Sequence, residues 1–90
     1  MKITYFFELV EKANELKNFV GENLKIKVTV SLNDNVIGTV YTIEQFWKLI
    51  GNDIKEIILD TEIQKTISVR EFKIIFTKNE EKNIIKLFVE

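Results

Sequence analysis

The sequence predicts an α+β domain with two helices packed on a mainly antiparallel sheet, in the order α-β-β-α-β-β-β. Three observations lead there. An early segment repeats its apolar residues at helical spacing, several later segments alternate apolar with polar residues, and the connections between them are short and polar. With 90 residues, no proline and three glycines, the chain is expected to form a single domain over residues 1–90 with little irregular structure.

The first element is a helix. Tyr5, Phe6, Leu9, Val10, Ala13, Leu16, Phe19 and Val20 recur at helical spacing, and Glu8, Glu11, Lys12, Glu15 and Lys17 fill the rest of its circumference. Thr4 has the chemistry of an N-cap, and Gly21 that of a left-handed residue past the C-terminus. Glu8 and Lys12 form an i,i+4 pair in the favourable order.

A strand follows over 24–32, where Leu24, Ile26, Val28, Val30 and Leu32 alternate with Lys25, Lys27, Thr29 and Ser31. Asn33-Asp34-Asn35 forms the turn, and 36–41 returns as the hairpin partner. Gly38 within it marks a bulge or a close backbone approach. A calcium role for Asp34 lacks the twelve-residue loop and its terminal glutamate. Thr42-x-x-Gln45 has capping-box form before a second helix with the apolar stripe Ile43, Phe46, Trp47, Leu49 and Ile50, ended by Gly51-Asn52-Asp53.

The remainder is expected to be strand-rich. Residues 54–60 carry Ile57, Ile58 and Leu59 in succession, although Asp53-x-x-Glu56 makes a helical turn the alternative there. Residues 63–69 place Ile63, Ile67 and Val69 on one face; Phe72, Ile74 and Phe76 fall on the opposite parity, so a break is expected near Arg70-Glu71. A polar turn over 78–83 then joins 72–77 to the last strand, 84–89. Thr42–Phe46 also echoes Ser68–Phe72; a true repeat would make Ser68 the start of a helical turn, and chance similarity is the alternative.

The missing residue types restrict the chemistry. Without cysteine or histidine the chain has no disulfide, thiolate, imidazole base or usual zinc ligand, so no metal site or cofactor is expected and Ser–His–Asp and Cys–His machinery is excluded. The chain is therefore expected not to be an enzyme; the residual catalytic reading is a pair of carboxylates among Glu44, Glu56, Asp60, Glu62 and Glu71. No Gly-rich phosphate loop, signal-peptide pattern or membrane-length apolar run occurs, and the lack of cysteine fits a reducing, cytoplasmic setting.

The net charge is −1, and acidic and basic residues nearly cancel in every segment. This speaks against nucleic acid as a partner. The alternative is a local lysine-bearing sheet face made by Lys25, Lys27, Lys65, Arg70 and Lys73.

A more informative feature is the surplus of large apolar residues, which neighbour one another in Tyr5-Phe6-Phe7, Phe46-Trp47, Ile74-Ile75-Phe76 and Leu87-Phe88-Val89. Helices on one face of a sheet leave the other face open to a partner or a second copy, unless the two helices cover opposite faces and all these residues are core. The first expectation is accordingly a protein-binding module, with Phe7, Trp47 and Phe88 as contacts and a free edge strand available for β-augmentation. Size and composition, by analogy only, match small phage and mobile-element proteins that inhibit a host protein. If the target is a nucleic-acid enzyme, Glu44, Glu56, Asp60 and Glu62 are the side chains to compete for its phosphate groove. The alternatives are a homodimeric assembly protein and a weak nucleic-acid-associated protein.

Overall fold

The computed structural model describes every residue from Met1 to Glu90. Three helices and five strands follow one another as α1 (Ile3–Phe19), β1 (Val28–Leu32), β2 (Asn35–Val40), α2 (Ile43–Ile50), α3 (Asn52–Ile58), β3 (Ile63–Lys65), β4 (Glu71–Lys78) and β5 (Glu81–Val89). The strands form one sheet in the order β2-β1-β5-β4-β3, antiparallel throughout. The α+β class and the antiparallel sheet agree with the sequence reading; the order and the count of two helices are corrected by α3.

That helix occupies the segment read as a strand over 54–60 with a helical turn as the alternative, and it is the alternative that forms. Ile54, Ile57 and Ile58 are spaced i, i+3, i+4, which gives a helix one apolar side. Ile58 is buried in the core, and Asp53 sits in the first turn where the helix dipole favours a carboxylate. Gly51 makes this possible. Its φ of 87° and ψ of 160° turn the chain sharply between α2 and α3, a conformation essentially reserved for glycine.

Two other strands are shorter than expected. Residues 22–27 lie outside β1 because β5 offers no partner strand before Val28, which faces Val89. The Asn14 side chain stands in for one, with Oδ1 accepting from the Ile26 amide at 2.7 Å. Leu24 is consequently exposed. At the other end β3 stops at Lys65, and residues 66–70 turn away. In that turn Ser68 Oγ accepts from the Arg70 amide at 3.2 Å, so the Ser68 echo of Thr42 opens a tight turn and not a helix. This is the break required by the change of parity.

Both hairpins are closed by two residues with positive φ, Asn33 and Asp34 in one and Asn79 and Glu80 in the other. Paired positive φ matches the right-handed twist of the flanking strands, and Asn and Asp tolerate it best. Gly38 has both features expected of it. Val30 faces Gly38 while Ser31 faces Val36, so Ile37 is the bulged residue. A Cβ at Gly38 would stand 3.0 Å from the Leu49 methyls of α2.

All three helices contribute to one core. Ile3, Phe6, Phe7 and Val10 of α1, Phe46 and Ile50 of α2 and Ile58 of α3 meet Val28, Val30, Ile74, Phe76, Ile85 and Leu87 from a single face of the sheet. Helix α1 starts at an N-cap Lys2 with no side-chain cap, so Thr4 lies inside the helix. At α2 the expected cap forms in a shifted version: Thr42 Oγ1 accepts from the Gln45 amide at 3.2 Å, and Gln45 Oε1 accepts at 2.7 Å from the amide of Tyr41, one residue before the N-cap. Thr42→Ala is expected to cost ~1 kcal/mol, measured as a lower urea midpoint with an unchanged m-value. An unaltered midpoint would show that this cap contributes nothing.

Candidate functional site

The structure distributes the sequence-predicted contact residues differently from expectation. Phe7 is wholly enclosed, 0% exposed between Phe6 and Phe46; it cannot touch a partner, and its role is packing. Trp47 is half-buried against Phe46, with the Lys55 ammonium 5.4 Å from its ring centroid. Phe88 lies on the open face of the sheet, in register between Thr29 and Glu71, and is also half-buried.

The four acidic candidates do not assemble into one surface. Glu44 opens α2 near Glu11 of α1. Partial burial, followed by the carboxylates of Glu44, Glu15 and Glu8, pushes the Glu11 carboxyl above the usual range. Glu62 is at the start of α1 instead, where it accepts from the Met1 ammonium and lies 3.2 Å from Lys2 Nζ. Lys2 and Glu11 are about 13 Å apart along the helix axis at 1.5 Å per residue. Glu56 is exposed on α3. Asp60 follows that helix, and its carbonyl accepts from Lys2 Nζ.

Hydrogen bonds from the Met1 ammonium and then Lys2 hold the Glu62 carboxyl below the usual range. A depressed carboxyl stabilises the fold fully above its unfolded value of about 4.3, and this contribution is lost as pH falls through the lower folded value. A carboxyl carbon NMR titration should therefore find Glu62 titrating below the ordinary glutamate value. Titration at the ordinary value would contradict the pairing. The same residues tie the outer side of β3: Lys2 bridges Glu62, and the Ile63 amide donates to the Met1 carbonyl at 2.7 Å.

The lysine-bearing candidates also separate. Lys73 shares a shallow recess on the open face with Lys86, which the sequence reading omitted; Lys65 borders it from the edge strand but pairs with Phe72, in register with the helix-covered side. Lys73 and Lys86 are direct cross-strand partners. Asp34 accepts from Lys86 at 3.0 Å and, with Glu71, raises its pKa. Lys27 is 3.4 Å from Glu90, Lys25 lies beside α1, and Arg70 lines a different groove. No three acidic side chains come together as a metal cluster, and no helix is long and apolar enough to cross a membrane.

Outside the 66–70 turn, where Ile67 and Val69 are exposed singly, the largest group of exposed apolar side chains lies on α1, whose apolar residues divide into two stripes. Ile3, Phe6, Phe7 and Val10 enter the core. Tyr5, Leu9, Leu16 and Phe19 face outward, 54, 45, 67 and 88% exposed. With Lys12 they follow one line at alternating spacings of four and three residues. The signal was present in the sequence, because eight apolar residues around one helix exceed what a single stripe can hold. Val20 and Leu24, past the helix end, are exposed as well, and Leu9 also lines an apolar groove of about 260 Å³ with Ala13, Ile26, Val69, Phe72 and Val89.

No protein-family model, curated protein or solved structure matches the chain.

Proposed function

We propose that the chain is a non-catalytic protein-binding module whose contact surface is the outer side of α1 and the groove beside it. The supporting observation is the exposed line Tyr5, Leu9, Leu16 and Phe19. Large aliphatic and aromatic side chains gathered on one side of a small domain stay in contact with water at a cost that association relieves. Aromatic residues such as Tyr5 and Phe19 commonly anchor interfaces.

The finer idea of acidic side chains occupying a nucleic-acid enzyme's groove draws no support from this geometry, since Glu44 and Glu62 lie apart and Glu62 is paired. The lysine recess carries less weight than the α1 surface because Lys86 is already paired to Asp34.

Affinity capture from the native host tests the reading, with the unsubstituted chain compared against Leu16→Ser/Phe19→Ser. Both side chains are exposed, so the variant should keep its fold by circular dichroism. A protein retained by the first and lost by the second is the expected result; identical capture by both would overturn the assignment of this surface.

A further inference from the structure

We infer that the outer side of α1 receives an amphipathic helix carrying a carboxylate at the middle of its apolar stripe; the inference rests on the protein-binding reading above and specifies its partner. Tyr5, Leu9, Lys12, Leu16 and Phe19 alternate between spacings of four and three. That average of 3.5 keeps a stripe in register with a second helix lying alongside at a shallow angle. From Tyr5 to Phe19 the stripe is about 21 Å long at 1.5 Å per residue, close to four turns.

Lys12 decides the character of the partner. It lies seven residues from Tyr5 and seven from Phe19, is exposed, and takes part in none of the chain's six ion pairs. The expected pair with Glu8 is absent, and Glu15, which shares a shallow recess with Lys12, Leu16 and Phe19, is not within ion-pair distance either. An ammonium covered by an apolar surface loses its hydration with nothing in return, whereas one covered opposite a carboxylate regains a charged partner. A single polar residue within an apolar seam selects partners in this way.

The same residue disfavours a second copy. Tyr5 and Phe19 lie equally far from Lys12, with Leu9 three and Leu16 four residues from it, so an antiparallel two-fold pairing that sets Tyr5 against Phe19 brings one Lys12 against the other, and an in-register parallel pairing does likewise. Like charges there work against the pairing. Glu8 and Glu15 on the adjoining side of the helix repel an anionic lipid surface and favour basic side chains on the partner's flank.

The test uses a helix-stapled peptide with leucines at the same spacings around a central glutamate, and a twin with lysine at the centre. Amide NMR titrations of the full chain should show the glutamate peptide binding at least about tenfold tighter, with shifts confined to the outer side of α1. Lys12→Glu should reverse the preference, and Lys12→Leu should produce a dimer in sedimentation while the unsubstituted chain stays monomeric. Equal affinity for both peptides, no saturable binding, dimerisation of the unsubstituted chain through α1, or binding to phosphatidylserine vesicles that Phe19→Ser abolishes would each overturn the inference. If any of these occurs while host-protein capture still depends on Leu16 and Phe19, the binding reading stands and the helical partner alone is wrong; if that capture also fails, both are wrong.

Discussion

Phe7→Ala is expected to be the most damaging single substitution among those considered, costing ~3–5 kcal/mol. Phe7 is fully enclosed at the meeting of α1 and α2, with its ring 5.2 Å from Phe6 and 5.3 Å from Phe46. Removing the ring loses its transfer free energy and leaves a cavity that neighbours held by separate helices and strands can fill only in part. A domain of this size has a total stability of about 5–13 kcal/mol. The melting temperature should therefore fall by roughly 15 °C or more, with calorimetry as the measurement. Phe19→Ala on the same helix is the control; with that side chain 88% exposed, the change should stay within about 0.5 kcal/mol. Equal effects at the two positions would mean that the division of α1 into core and outer stripes is wrong.

Gly51→Ala is expected to have the second largest effect, about 1–3 kcal/mol. Nothing lies within 4 Å of a Cβ built at Gly51, so crowding is not the reason. The cost comes from the backbone, at φ 87° and ψ 160°, where a Cβ meets its own chain. Asparagine should not rescue the site, because its tolerance of positive φ is for the left-handed helical region and not for this one. D-Alanine introduced by chemical synthesis should restore stability, since its allowed map is the mirror image. Denaturation midpoints of the three variants check the ordering. An L-alanine variant as stable as the parent would show that α2 and α3 can join by another route.

These two residues also show what the sequence could and could not reveal. Alternation located the cores of β1, β4 and β5 because each needs one buried face. The Asn33-Asp34 turn and the Thr42 cap were legible because their chemistry is local. The segment after Gly51 was not: Ile57, Ile58 and Leu59 suit a buried strand as well as a short helix, and only the turn at Gly51 decides between them. Strand lengths were overestimated at Leu24 and Val69 because alternation persists where no neighbouring strand is present to pair. Phe7 illustrates the same limit for the site. Its neighbours Tyr5 and Phe6 look equivalent in sequence, and only the direction from which the sheet approaches α1 separates the two enclosed rings from the exposed one.

The order β2-β1-β5-β4-β3 has a consequence for how the fold is acquired. The centre of the sheet is the last element along the chain, so the two hairpin-like halves on either side of it have no common partner until residues 81–89 have been made. On a ribosome the earlier segments would wait with their oily sides uncovered, and final assembly is delayed until the last strand has left the exit tunnel.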